Sequence, residues 1–93
     1  MTEEPPVPVR LRLYSRPGCH LCEEMQTEVD ALLRERPRNW EVIDVDSAPE
    51  LADRYGESIP VLFVNDRLFA KVRLPRLAGK LRLLRAAGLR TED

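Results

Sequence analysis

Ser15-Arg16-Pro17-Gly18-Cys19-His20-Leu21-Cys22 holds the only two cysteines of the chain, three positions apart, between an apolar strand-like run and a helix-like run. A helix that begins near Cys19 turns its free N–H groups and the positive end of its dipole toward that sulfur. Both favour the thiolate, the form that attacks disulfides. Cys22 then lies one turn on, within resolving distance. The pair therefore points to thiol-disulfide chemistry.

Working outward, Val9, Leu11 and Leu13 alternate with Arg10, Arg12 and Tyr14, the pattern of a strand leading straight into the cysteine loop. After the loop, Leu21, Met25, Val29, Leu32 and Leu33 share one helical face, while Glu23, Glu24, Glu28 and Asp30 fall largely elsewhere. Pro37 is expected to end this helix. Trp40 to Asp46 reads as a second strand, and joining it to the first through a helix implies a parallel pair with a right-handed crossover. Ser47 and Glu50 form a capping-box pattern for a short helix that ends near Tyr55-Gly56.

Ser58-Ile59-Pro60-Val61-Leu62-Phe63-Val64, the turn-forming Asn65-Asp66 and then Leu68 to Val72 read as an antiparallel hairpin whose first strand is buried. Pro60 is out of place at the head of such a strand, because it cannot donate to a ladder. A proline that merely starts a strand is the common case, and only about 5 to 6% of X-Pro bonds are cis. The position of Pro60 in this chain order nonetheless favours a cis Ile59-Pro60 bond, which leaves the Ile59 backbone exposed to pair with an extended partner. Leu74, Leu77, Leu81 and Leu84 stripe a last helix as core, with Pro75 in its first turn and Gly88 past its end.

With 93 residues, the chain makes one domain. Such a domain buries roughly 60 to 65% of its unfolded surface, enough for a modest core. The hydrophobic fraction, 43%, is globular, and the apolar runs are far shorter than the about 20 residues of a membrane span. The sequence predicts a flexible leader over 1–8, a domain over 9–90 and a tail over 91–93. Acidic residues and prolines stand where a secretory leader would need positive charge and an apolar stretch, so a reducing cytoplasm is the expected compartment. Net charge is −1, yet from Arg67 to Arg90 every charged residue is basic. We read that segment as a solvated helix face, since no aromatic residues interleave it in the manner of a nucleic-acid surface.

Two motifs carry a resemblance over nearly the whole chain, from Leu11 to about Leu89. Arg16-Pro17-Gly18-Cys19-His20-Leu21-Cys22 and, downstream, Ser58-Ile59-Pro60 resemble the active-site loop and the cis-proline loop of a glutaredoxin-like member of the thioredoxin-fold superfamily. The resemblance implies an α/β thioredoxin fold, a central four-stranded mixed sheet flanked by three helices in the order βαβ then ββα. It implies Cys19 as attacking thiol, Cys22 as resolving thiol and Pro60 as the cis-proline against the pair. It also implies a basic residue where Arg16 stands, to stabilise the thiolate or to hold a glutathione carboxylate bidentately.

Departures from that pattern bear on substrate. Where glutaredoxins carry a Gly-Gly pair and then an acidic or hydroxyl residue for the γ-glutamyl end of glutathione, this chain has Ala70-Lys71 and Leu74. None of these side chains accepts a bond from an ammonium group. The pair His20-Leu21, in place of the common proline and tyrosine, resembles a glutaredoxin-like branch of small bacterial proteins. A His20 imidazolium beside Cys19 would lower the thiol pKa.

The expected function is a cytoplasmic thiol-disulfide oxidoreductase that reduces protein or small-molecule disulfides. Cys19 and Cys22 are its catalytic residues, and Arg16, His20, Ile59 and Pro60 its substrate-binding residues. No tightly bound cofactor is expected, and glutathione is a candidate co-substrate. The electron donor is glutathione or a thioredoxin-reductase type of partner, with no nucleic acid or membrane partner, and the chain is expected to be a monomer. Structural zinc takes about four ligands, and the chain has no third cysteine and no second histidine, so no metal site is expected within it. The alternative is an adaptor that binds a partner or bridges an iron-sulfur cluster between two chains with external glutathione; colour in the purified protein distinguishes it.

Overall fold

A computed structural model describes residues 7–73 and 77–88, with the side chains of 77–80 left aside. Its elements are β1 (Val9–Ser15), α1 (His20–Leu33), β2 (Arg38–Asp44), a single 3-10 turn (Val45–Ser47), α2 (Pro49–Tyr55), β3 (Val61–Val64), β4 (Arg67–Lys71) and α3 (Leu77–Ala86). The sheet order is β2-β1-β3-β4. β1 runs parallel to β2 and antiparallel to β3, and β4 returns antiparallel to β3. This is the mixed sheet expected from the sequence.

Alternation in β1 divides the core in two. Val9, Leu11 and Leu13 face α1 and α3, where they meet Met25, Val29, Leu33 and Leu83 in one buried cluster. Burying each such side chain fully contributes about 1.5 to 3 kcal/mol. Tyr14 faces the other way, into a second cluster with Val45 and Val61, against which Leu51 and Tyr55 of α2 pack. The Tyr14 and Tyr55 rings stack with centroids 4.0 Å apart. Because β3 lies between β1 and β4, it contributes to both clusters: Leu62 and Val64 to the first, Val61 to the second.

The hairpin turn is built as its residues suggest. Asn65 and Asp66 both take positive φ, 49° and 71°, the geometry that joins twisted strands through two residues. Asn65 also accepts from the Arg10 backbone N–H through Oδ1 at 2.9 Å, donates its own N–H to the Arg10 carbonyl at 2.8 Å, and donates Nδ2 to the Ala86 carbonyl at 3.2 Å.

Several local expectations are corrected. The first helix ends at Leu33 through Arg34, whose φ is 55°, rather than at Pro37; Arg38 then donates to the carbonyls of Arg34 and Arg36 at 2.8 and 2.7 Å. The second strand covers Arg38–Asp44, two residues upstream of the expected span, and Asp44 caps the turn after it by accepting from the Asp46 N–H. Ser47 and Glu50 form no capping box: the residue before α2 is Ala48, whose methyl group cannot accept a capping hydrogen bond, and the Ser47 hydroxyl donates to the Asp44 carbonyl instead. On α1, Leu21 is exposed and Cys22 takes its place in the core. On α3, Leu81 is 52% exposed while Leu83 is fully buried, with Ala86 and Ala87 packed on the same cluster. A leucine-rich helix offers more than one apolar stripe, and the one used is selected by what the sheet presents. Leu74 and Pro75 lie outside the described residues.

Candidate active site

The sheet register gathers the candidate residues at one pole. Ser15 ends β1 opposite Asp44, and Tyr14 pairs with Val61 at the head of β3, which in turn pairs with Lys71 at the end of β4. The loop that carries Cys19, the turn after β2, the Ile59-Pro60 segment and the exit of β4 therefore share the same edge of the molecule.

Gly18, with φ 79°, turns the chain into α1 in a conformation that L side chains disfavour. Cys19 is the N-cap, with extended φ and ψ of −85° and 105°. Its sulfur accepts from the Cys22 N–H at 3.1 Å, and its carbonyl accepts from the Glu23 N–H at 3.1 Å. Cys19 and Cys22 form a disulfide, with their Cα atoms 5.3 Å apart. The two sulfurs differ in access. Cys22 is 2% exposed and belongs to the core cluster, whereas Cys19 is only partly buried at its edge. An incoming disulfide can reach Cys19; the electropositive helix start supplies donors to the sulfur that does the reaching.

Ile59-Pro60 is a cis peptide bond. Pro60 is fully buried, and the Ile59 side chain packs against both core clusters. Pro60 accepts from the Val72 N–H at 2.8 Å. Among the described residues neither the N–H nor the carbonyl of Ile59 has a hydrogen-bond partner. That leaves one residue of open strand edge at the pole of the disulfide.

Arg16 and His20, on either side of Cys19 in sequence, each lie beside a carboxylate. The Arg16 guanidinium donates to both carboxylate oxygens of Asp46, Nε at 2.8 Å and Nη2 at 3.2 Å. This pair raises the pKa of Arg16 and lowers that of Asp46, in each case chiefly through the side-chain hydrogen bond. Its fork is thus occupied. His20 is 90% exposed, with Nδ1 3.8 Å from Glu23 Oε1, and it borders a shallow groove on the outer face of α1 with Glu23, Glu24, Thr27 and Glu28. On the sheet side of the loop, burial first and Tyr55 second push the Tyr14 phenol up.

Asp46 was the residue missed. The parallel register sets Ser15 opposite Asp44; Arg16 follows β1 by one residue and Asp46 follows β2 by two, inside the 3-10 turn, and the long arginine side chain spans the offset. Gly56 was missed too. A Cβ there would stand 2.5 Å from the Ala52 carbonyl oxygen and 3.3 Å from Arg16 Nη2, so the loop arginine lies directly against the end of α2.

Comparison with solved structures gives the same architecture. A Nitrosomonas europaea protein solved by solution NMR is similar at 34% identity and a TM-score of 0.67, covering 80% of this chain and 88% of its own. A protein of X. campestris is similar at 30% identity and a TM-score of 0.56, covering 83% of this chain and 96% of its own. A mutant thioredoxin from Halobacterium salinarum is similar at 25% identity and a TM-score of 0.53, over 88% of this chain and 77% of its own. The fold is the thioredoxin fold, with Cys19 and Cys22 as its C-x-x-C pair. A comparison with curated proteins found no match. The family model of the Glutaredoxin-like domain (DUF836) matches residues 10–82, a span that contains both cysteines, the cis Ile59-Pro60 bond and the whole sheet beyond Val9, and the chain belongs to this family.

Proposed function

We propose that the protein is a dithiol-disulfide oxidoreductase that reduces disulfide substrates through Cys19 and Cys22. The observation that carries this reading is the asymmetry of the pair. Cys19 is reachable and sits at the start of α1, while Cys22 is buried one turn behind it.

In the reduced protein, the Cys19 thiolate attacks one sulfur of the substrate disulfide. The substrate bond breaks, its other half leaves as a thiolate and takes up a proton, and a mixed disulfide forms on Cys19. Cys22, as thiolate, then attacks Cys19 Sγ and releases the remaining substrate thiol. Two electrons pass from the dithiol to the substrate, and the Cys19–Cys22 disulfide is the oxidised product. During attack the Ile59 backbone pairs with the substrate chain, holding its sulfur in line, and Pro60 fills the space behind. Arg16 serves this reading by holding the loop through Asp46. An external thiol donor, glutathione or a thioredoxin-reductase type of flavoprotein, returns the electrons in a reducing compartment.

The test follows turnover of a protein disulfide with glutathione and its reductase, or with thioredoxin reductase. Wild-type protein should turn over with at least one donor, and Cys19→Ser should fall to background with both. Equal rates for wild type and Cys19→Ser would overturn the reading.

A further inference from the structure

The end of β4 is bent in a way its sequence does not favour. Lys71 pairs with Val61 and the Val72 N–H reaches the Pro60 carbonyl at 2.8 Å, so β4 follows β3 as far as the proline. There it stops. The Arg73 N–H turns back to the Lys71 carbonyl at 2.7 Å, a three-residue γ-turn centred on Val72 with φ 70°. A β-branched residue rarely occupies this region, and such outliers persist where the surroundings over-determine them, often at functional sites. The consequence is concrete. A straight β4 would bring Arg73 level with Ile59, whereas the turn spends the Arg73 N–H on Lys71, and Ile59 keeps its open edge.

The same turn leaves two cations at that edge. Lys71 and Arg73 are exposed, and among the described residues neither is in an ion pair. Arg16, at the same pole, is by contrast paired with Asp46. Across the disulfide, the exposed Glu23, Glu24 and Glu28 of α1 carry the opposite sign. The exposed charges of the described residues are thus basic at the end of β4 and acidic along α1, with Glu57 exposed on the loop before Ile59.

We infer that the Lys71–Arg73 corner selects disulfide substrates that carry a carboxylate side chain next to the attacked cysteine. This rests on the dithiol reading above and names its substrate class. A peptide strand paired with Ile59 brings the neighbours of its cysteine past this corner, where carboxylates are attracted and ammonium groups repelled. Complementarity of this kind acts mainly on association and weakens with salt.

A single-turnover assay tests it without any electron donor. Fully reduced protein is mixed with end-blocked peptides whose cysteine is flanked by Asp, Asn or Lys and is disulfide-linked to 2-mercaptoethanol, and release of peptide thiol is followed. Wild type should reduce the Asp peptide about tenfold faster than the Lys peptide at low salt, with Asn between. The gap should close at roughly 1 M salt, where the screening length is about 3 Å. Lys71→Glu with Arg73→Glu should reverse the order, and Lys71→Gln with Arg73→Gln should flatten it. Equal rates for the three peptides in wild type, or an order unchanged by charge reversal, would overturn the selection alone. Release from no peptide would overturn the dithiol reading and the selection together.

Discussion

Arg16 and Asp46, thirty residues apart in sequence, are joined by two hydrogen bonds of 2.8 and 3.2 Å that tie the loop before Cys19 to the turn after β2. The Asp46 pKa is lowered from its ordinary 3.8 by this partner. A depressed carboxylate stabilises the fold above its unfolded pKa, and that contribution is lost as pH falls through the folded value. Both side chains are well exposed, so solvent screens the pair and the effect is small. Asp46→Asn should melt slightly below wild type at neutral pH, and the two melting curves should converge below pH 3.8. A difference that persists undiminished in acid would assign it to something other than the charge.

Roles of the two cysteines can be read from trapping. Cys22→Ser should accumulate covalent mixed disulfides with substrate, visible on non-reducing gels, whereas Cys19→Ser should accumulate almost none. In Cys22→Ser, thiolate absorbance followed against pH should give a Cys19 midpoint below about 8.5, because the helix start donates to the sulfur. Equal trapping by the two variants would exchange or erase the roles.

Asp30 holds the far end of α1. One of its oxygens accepts both from Arg38 Nε at 2.6 Å and from the Trp40 indole Nε1 at 2.9 Å. Asp30→Ala removes the acceptor from two partly buried donors, a change that costs about 1 to 3 kcal/mol, toward the lower end because Asp30 itself is 42% exposed. Trp40 is the only tryptophan, so its emission should shift with the mutation, and denaturant melts should show the loss. Unchanged stability would mean water replaces the carboxylate fully.

Gly56 is needed for space rather than for its dihedral angles, since its φ of −56° is open to any residue. Gly56→Ala would press a methyl group against the Ala52 carbonyl and the Arg16 guanidinium, and overpacking against backbone costs about 1 to 3 kcal/mol. The variant should melt earlier and should lose most of the dependence on Asp46. Additive effects of Gly56→Ala and Asp46→Asn would separate the two contacts.

Much of the architecture was legible because periodicity reports burial directly: the alternation of β1, the apolar run of β3 and the Asn65-Asp66 turn all read correctly from residue types alone. The cis bond at Pro60 was legible from its place before a buried strand. What the sequence could not display were choices among near-equivalents. Leu21 and Cys22 are both apolar and adjacent at the start of α1, and only the sheet beneath decides which is buried. Leu81, Leu83 and Leu84 offer competing stripes on α3, and residue types alone do not pair Arg16 with Asp46, thirty residues away. Helix ends were displaced for a similar reason: Arg34 enters the left-handed region before Pro37 has any chance to act, because Arg38 is at hand to satisfy the carbonyls released there.

Asn65 latches the first strand of the domain to the end of α3. Its backbone and side chain join Arg10, near the start of the described chain, to Ala86, near its end, and β1 waits in the centre of the sheet for β3 to arrive from fifty residues away. During synthesis on the ribosome, the βαβ half therefore emerges with one edge of its central strand unpaired, and the latch cannot close until Ala86 is outside the tunnel. A nascent chain stalled before that point lacks the Asn65–Ala86 hydrogen bond and the α3 side chain, Leu83, that completes the first core cluster.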